Sequence, residues 1–179
     1  MMAWCCVVSV SHAEPETRQE APQDTRPSYV VKAEFLVHFL EYVDWPAAQT
    51  PGPEEPWVIG VTAADEVHGA LLRVVRGKLV RAHPVAVRLL TDGDALERVH
   101  ILYLSGSADA VSWDTSRAGR SLLVVTDDPK GIAAGPGAIN FLLTQDRIRF
   151  EVSLETAERA GLKVSSRMLQ VAHKVTGLR

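Results

Sequence analysis

The chain has 179 residues, of which 23% are charged and 46% hydrophobic, the balance of an ordinary globular protein. At this length we expect one domain, which buries roughly 70% of the surface of the unfolded chain and therefore needs no disulfide or metal to fold. The net charge of −3 argues against a nucleic-acid binder held by a dense basic patch. The two cysteines, Cys5 and Cys6, are too few for a disulfide framework or a four-cysteine zinc site.

The N-terminus has the pattern of a secretory signal peptide. Residues 3–10 are apolar apart from Ser9, and the small-x-small triplet Ser11-His12-Ala13 follows. We therefore predict residues 1–13 as a signal peptide, with a frayed hydrophobic terminus as the alternative. No Lys or Arg precedes Arg18, although signal peptides open on such residues. The run is too short for a membrane span, which takes ~20 apolar residues.

The segment after the signal peptide is predicted as a disordered leader. Residues 14–28 contain three prolines among polar and charged side chains, a composition that buries little apolar surface. The folded domain is expected over residues 29–179. Cleavage after Ala13 would remove both cysteines, so the mature chain would have no disulfide and no thiol nucleophile.

The first periodic segment, Tyr29 to Asp44, is predicted as a helix that Ser28 caps and Pro46 ends. Its apolar residues cover much more than one face, which is typical of a helix buried on more than one side. Either a partner or second subunit covers part of this surface, or both sides pack inside one domain. The residues that we select as candidates for partner contact are Phe35, Phe39, Tyr42 and Trp45.

The rest of the chain alternates short apolar runs with helical segments. The predicted strands before the C-terminal region are 57–61, 84–90, 99–104 and 122–126. The predicted helices are 66–75 and 108–118, with a helical turn or short helix at 94–98. Residues 47–56 and 131–137 are predicted as loops.

The C-terminal region changes the pattern. Strands 138–143 and 148–154 are separated by only about four residues, so they must be antiparallel. Helices at 155–160 and 166–174 follow. The whole pattern predicts a single α/β domain with a mixed, mostly parallel, Rossmann-like sheet, helices on both faces and a C-terminal antiparallel hairpin.

A search for catalytic and metal-binding motifs finds none. Ser105 lies in Leu-Ser-Gly-Ser, without the glycine spacing of a nucleophile elbow, and is predicted as a cap or turn residue. Glycines 131, 135 and 137 lack the spacing of a dinucleotide or phosphate loop, and no histidine pair has metal-ligand spacing. The sequence therefore predicts no catalytic residue, no metal and no cofactor. An enzyme with unrecognised active groups is the remaining alternative.

Two weaker candidates for a ligand site remain. Asp127 and Asp128 follow a predicted strand, where α/β folds place ligands; solvated turn carboxylates are the alternative. In the last predicted strand, Arg147, Arg149 and Glu151 share one face at a period of two. Two guanidiniums and a carboxylate could hold an anion, or they could form a solvent-facing edge whose ion pairs contribute little.

Several stretches, taken in order and spacing, resemble the YfiR/HmsC-like family of small periplasmic regulators. They cover about residues 29 to 175, and are Val31-Lys32-Ala33-Glu34-Phe35-Leu36 with Phe39, Val43-Asp44-Trp45-Pro46, Ile59-Gly60-Val61, His100-Ile101-Leu102-Tyr103-Leu104-Ser105, Leu123-Val124-Val125-Thr126-Asp127, Ala138-Ile139-Asn140-Phe141, Arg147-Ile148-Arg149-Phe150-Glu151-Val152, Ala157, Ala160-Gly161-Leu162, Ser165-Ser166 and Leu169.

The resemblance implies a non-catalytic periplasmic repressor rather than an enzyme. Members of the family bind the periplasmic region of an inner-membrane signalling protein, typically a diguanylate cyclase or another sensor, and so lower cyclic-di-GMP and biofilm output. Some members form dimers, so a homodimer is also implied. The chain departs from the family in lacking its cysteine pairs, with Val99 where a cysteine often stands, and in carrying Pro136 in a glycine-rich stretch.

Overall fold

The computed structural model describes residues 26–62, 65–91, 93–106 and 121–177. The predicted signal peptide, residues 14–25 of the predicted leader and the predicted helix at 108–118 lie outside the described residues.

The described residues form ten strands and four α-helices. The strands are β1 (Val43–Asp44), β2 (Trp57–Thr62), β3 (Leu79–Val80), β4 (His83–Leu90), β5 (Ile101–Leu104), β6 (Leu123–Thr126), β7 (Ile139–Thr144), β8 (Arg147–Ser153), β9 (Lys163–Val164) and β10 (Lys174–Thr176). The α-helices are α1 (Ser28–Tyr42), α2 (Asp65–Val74), α3 (Leu154–Arg159) and α4 (Ser166–Val171). Short 3-10 helices cover Ala47–Gln49 and Ile132–Ala134.

Eight of these strands form one mixed sheet in the order β10-β8-β7-β6-β5-β2-β4-β3, and β1 pairs separately with β9. Neighbours in the large sheet are parallel except for the pairs β7–β8 and β3–β4. The β7–β8 turn consists of Gln145 and Asp146, both at positive φ, as a tight hairpin turn requires. The prediction of a single α/β domain with a mostly parallel sheet and an antiparallel hairpin is confirmed.

The sheet buries apolar side chains on both of its faces. On one face, Ile59, Tyr103 and Phe141 pack with residues of α1, α2, α3 and α4 in the larger core cluster. On the other face, Leu102 and Val124 belong to a smaller cluster with residues from the loops before β5 and β6. Because neighbouring residues of β5 contribute to opposite clusters, the central strands are continuous apolar runs rather than alternating ones.

The first helix differs from its prediction at both ends. The residue before the helix is Pro27, and no side chain caps the first turn, so the predicted cap by Ser28 is wrong. The helix also ends at Tyr42, two residues before the predicted end. Val43 and Asp44 are instead extended because they pair with Val164 and Lys163 of β9.

Two other predicted helices are corrected. Residues 94–96 have no regular structure and residues 97–98 form a turn, so the short helix that was one of the two possibilities predicted there is wrong. The Asp94 carboxylate accepts a hydrogen bond from Thr91 N at 2.7 Å. Asp side chains that bond the nearby backbone in this way compete with helix formation. Helix α4 ends at Val171, since the chain then extends to pair with β8 through β10.

The buried amide of Asn140 joins the end of β6 to the beginning of β7. Its side chain is fully buried; its oxygen accepts from Thr126 Oγ1 at 2.7 Å and from Asp128 N at 2.9 Å. Its nitrogen donates to the carbonyl of Asp128 at 3.1 Å. Asn140 therefore satisfies both backbone hydrogen-bonding groups of the buried Asp128.

We expect Asn140→Ala to lower the free energy of unfolding by about 2–4 kcal/mol, because buried backbone groups lose their partners. Urea denaturation monitored by circular dichroism measures this change. The exposed Glu158→Ala variant is the control, for which we expect about 0.5 kcal/mol or less. A similar loss in both variants would contradict the role assigned to Asn140.

Candidate functional site

A buried polar cluster lies at the carboxyl ends of β5 and β6. Asp127 Oδ2 is 2.7 Å from Lys32 Nζ and accepts a hydrogen bond from Tyr103 OH at 2.7 Å. Asp127 Oδ1 accepts from Gly106 N at 2.5 Å. The side chains of Lys32 and Asp127 are 17% and 15% exposed. The alternative of solvated turn carboxylates is therefore wrong for Asp127, and also for Asp128, which is 4% exposed.

The cluster holds Asp127 ionised despite its burial. Burial raises the pKa of Asp127, but hydrogen bonds from Lys32, Gly106 and Tyr103 outweigh it, so the pKa lies below its ordinary value. Burial and the neighbouring carboxylate raise the pKa of Tyr103, which therefore remains a hydrogen-bond donor. With these bonds made, Asp127 fastens α1 to the sheet instead of standing open for a ligand.

We expect Lys32→Met to lower the free energy of unfolding by about 1–3 kcal/mol at pH 7, because Asp127 would lose its buried cation. In the parent, the contribution of Asp127 is present above its unfolded pKa of about 3.8 and is lost as the pH falls through the lower folded value. Without Lys32 the folded pKa of Asp127 moves up toward the unfolded value, so this acid-dependent loss of stability should be smaller in the variant. Denaturation from pH 3 to 7 tests both points, with the exposed Lys163→Met as control.

A cleft of about 520 Å³ lies at the opposite edge, where β2 and β5 begin. At its wall, His100 Nδ1 accepts a hydrogen bond from Val58 N at 3.0 Å. His100 Nε2 therefore carries the proton and donates to the carbonyl of Gln49 at 2.9 Å. The ring lies 4.6 Å from that of Trp57, measured between centroids. The neutral side chain of His100 thus connects the 3-10 helix at 47–49 to the sheet.

The hydrogen bonds of His100 predict a loss of stability in mild acid. Burial lowers the pKa of His100 below 6.5, so the unfolded state binds a proton before the native state does. The free energy of unfolding should therefore fall as the pH drops from above 6.5 through the folded pKa. His100→Asn should reduce this slope in urea denaturation between about pH 7 and 5. An equal reduction in the exposed His38→Asn variant would contradict the assignment.

An apolar groove of about 410 Å³ separates α1 from α4. Its walls and floor are formed by Phe35, Phe39 and Tyr42 of α1, Phe150 of β8, and Met168 and Val171 of α4. His38, Arg167 and Gln170 complete its rim. Within this apolar groove, the Phe35 and Phe39 rings lie 5.4 and 5.3 Å from that of Phe150.

The groove brings together three of the four residues selected for partner contact. Phe39 is 1% exposed and belongs to the core, whereas Phe35 and Tyr42 are only partly buried. Trp45 lies elsewhere, 5.2 Å from Trp57 between ring centroids, and its buried Nε1 has no hydrogen-bond partner. Most of the wide apolar surface of α1 therefore packs inside the domain, and a smaller part faces the groove.

A third cavity, the arginine pocket, has a volume of about 350 Å³ and lies beside the first turns of α1. Arg26, Glu34, Phe35, His38, Arg147 and Arg149 contribute to its lining, together with Val31 and Ile148. Arg26 Nη1 is 2.5 Å from Glu34 Oε2. The structure thus brings Arg147 and Arg149 together beside Arg26, a residue that the sequence had suggested only as leader.

Glu151 lies apart from the two arginines with which it was grouped. It is 8% exposed, and its Oε2 accepts a hydrogen bond from Ile132 N at 2.7 Å. The neighbouring Gly131 has a φ of +85°, and a Cβ there would lie 3.0 Å from the same oxygen. The carboxylate therefore holds the 131–134 turn against β8.

The residues of α4 that line the groove were not among the candidates selected from the sequence. Met168 and Val171 are one turn apart on α4, where their spacing indicates only one face of a short helix. The signal that could have located them is the order of the elements, because α4 follows β9 and β9 pairs with the strand directly after α1.

Comparison with known proteins gives one family. A family model described as YfiR/HmsC-like matches residues 29–173, which is most of the chain. No curated protein matches the chain. None of the described helices has the length and hydrophobicity to cross a membrane. Among the described residues, no three or more His, Cys, Asp or Glu side chains are grouped so as to hold a metal ion.

Proposed function

The chain belongs to the YfiR/HmsC-like family, and on this basis we propose that it is a non-catalytic periplasmic repressor of a membrane-bound signalling protein. The family is consistent with a periplasmic regulator of cyclic-di-GMP signalling. The proposed partner is the periplasmic region of an inner-membrane diguanylate cyclase, and the proposed output is control of biofilm formation. Export by a signal peptide at residues 1–13 is part of the same proposal.

The observation that carries the proposal is the apolar groove between α1 and α4. Val171 is a large apolar side chain on its wall, and 64% of it is exposed. Phe35 and Tyr42 face the same space from α1 while remaining partly exposed. Apolar side chains that converge on a groove between two helices suit recognition of a partner by burial of apolar surface.

The roles proposed for individual residues differ. Phe35, Tyr42 and Val171 are proposed to contact the partner directly, and Phe39 supports them from below. Trp45 is proposed to act on the partner site only indirectly, through β1, which connects it to α1. A second copy of the chain is the other occupant to be tested, since a homodimer would use the same kind of surface.

The test compares two substitutions by aspartate, at apolar side chains of nearly equal exposure. Val171→Asp places a charge in the groove, and we expect at least about a tenfold weaker affinity for the periplasmic region of a membrane cyclase encoded next to this gene. Leu79→Asp is the matched control, since Leu79 is 63% exposed at the far edge of the sheet. Biolayer interferometry measures both affinities.

Equal affinity of the two variants for the cyclase region would overturn the assignment of the groove. Cells that carry Val171→Asp should also regain cyclic-di-GMP, whereas Leu79→Asp should repress it as the parent does. Sedimentation of the purified chain tests whether a second copy occupies the groove instead. If Val171→Asp alone dissociates a dimer and leaves cyclase binding unchanged, the groove is the dimer interface.

Binding of a small anion is the alternative function. It is favoured by one observation, the convergence of Arg147 and Arg149 on the arginine pocket. Glu151, which was grouped with them, holds the 131–134 turn and would act only by fixing the shape of β8. If this function is correct, a small anion that has no apolar group, such as phosphate or citrate, should stabilise the protein by itself.

A further inference from the structure

The charged residues of the chain are unevenly distributed along its sequence. Residues 67–91 contain five of the 19 Lys and Arg but none of the 22 Asp and Glu. Because the whole chain has a formal net charge of −3, this segment is +5 and the remainder is −8. The segment forms most of α2 together with β3 and β4, the last two strands at one edge of the large sheet.

Three of these cations lie at the end of α2 and in the turn that follows it. Arg73 and Arg76 are exposed, and Lys78 is half-buried. Among the described residues, no carboxylate forms an ion pair with any of the three. Arg81 differs, because it lies 2.8 Å from Asp44 Oδ1. The charges of the first three cations are therefore not offset by a neighbouring carboxylate in the described part of the chain.

Two exposed leucines lie on the same side of the sheet as α2. Leu72 of α2 is 46% exposed, and Leu89 of β4 is 48% exposed. Leu89 shares a face of β4 with Val87, which packs against the larger core cluster to which α2 contributes. Leu79 is 63% exposed but alternates with Val80, a member of that cluster, so Leu79 lies on the opposite face of the sheet.

The exposed leucines and the three cations form one surface, which we call the basic edge and which consists of Leu72, Arg73, Arg76, Lys78 and Leu89. None of these residues lines the apolar groove, the arginine pocket or the cleft beside His100, so the leucines are not gathered in one of these cavities. The acidic residues of α2 are in its first turn, about 10 Å from Arg73 along the helix axis.

We infer that the basic edge binds a membrane surface that contains anionic phospholipids. Lipid phosphates supply the negative charge that complements the three cations, and the leucines beside them enter the boundary between headgroups and acyl chains. The remainder of the chain, at −8, is repelled by the same lipids, so this edge is the part that faces them. Three cations and two half-exposed leucines predict weak, reversible binding rather than stable anchoring.

This orientation goes beyond the proposed function and does not depend on it. Five strand spacings of about 4.8 Å separate β4 from β8, so the apolar groove beside β8 is held about 24 Å from the lipid surface. The periplasmic region of a membrane protein extends through this layer. Weak lipid binding is sufficient there, because it confines the chain to the surface on which its partner lies and so raises the local concentration.

Flotation of the full chain with lipid vesicles tests the inference. We expect the parent to bind vesicles of equal parts phosphatidylglycerol and phosphatidylcholine at least about tenfold more tightly than vesicles of phosphatidylcholine alone. Raising the NaCl concentration from about 50 to about 500 mM should remove most of this preference, because salt screens exposed charges. Residues 1–13 are the same in every variant, so any contribution from them cancels in the comparison.

Two double variants locate the charged contact. Arg73→Gln with Arg76→Gln should reduce the affinity for the anionic vesicles at least about tenfold. Arg159→Gln with Lys163→Gln removes the same charge at exposed positions outside the basic edge, and should reduce the affinity less than about threefold. Circular dichroism and thermal unfolding confirm that each variant is folded.

Two single variants locate the apolar contact. Leu72→Ser should weaken binding to the anionic vesicles about threefold or more, because less apolar surface enters the lipid. Leu79→Ser is the control on the opposite face of the sheet and should leave the affinity unchanged. An equal effect of these two variants would remove the leucines from the contact and contradict the inference.

Other results would also overturn the inference. The first is equal binding of the parent to both kinds of vesicle, and the second is an equal effect of the two double variants. If Arg73→Gln with Arg76→Gln keeps its vesicle affinity but loses affinity for the cyclase region, the basic edge binds an acidic protein surface instead. If it keeps its vesicle affinity but aggregates, the cations protect the sheet edge from association. Loss of vesicle binding with unchanged cyclase binding supports the lipid contact and leaves the repressor function to its own test.

Discussion

The position of α1 on the sheet determines where every other candidate surface lies. Leu36, Val37 and Leu40 are fully buried, so one side of the helix is committed to the core. The ion pair between Lys32 and Asp127 then fixes the helix in position along the sheet. Burial supplies most of the stabilisation, because apolar area removed from water contributes about 25 cal/mol per Å². The ion pair contributes mainly by selecting one placement of the helix over others.

This constraint explains why the groove is apolar. A helix that must pack against a sheet and α2 at the same time, with α4 across a groove, needs apolar residues around much of its circumference. Helix α4 has only six residues and cannot cover all of α1, so part of that surface stays open. The open part retains the same kind of side chain as the buried part. A contact surface for a partner therefore arises from the same residue pattern that builds the core.

The central architecture could be predicted from the sequence because each element carries its own pattern. The apolar run at Trp57 and the antiparallel pairing of β7 with β8 depend on local residues, and both were predicted. The two-residue strands β1 and β9 could not be predicted, because each exists only through its pairing with the other. Likewise, nothing near Arg26 in the sequence indicates that it lines the same pocket as Arg147, since this depends on how α1 crosses β8.

The C-terminal strand determines where the C-terminal boundary of this domain should be placed. The family match ends at residue 173, whereas β10 begins at Lys174 and pairs with Glu151, Val152 and Ser153 of β8. A boundary drawn at the end of the match would remove β10 and expose that edge of β8. Unpaired edges of this kind promote association between sheets. Three residues beyond the recognised family region therefore protect the strand whose other end carries the arginines.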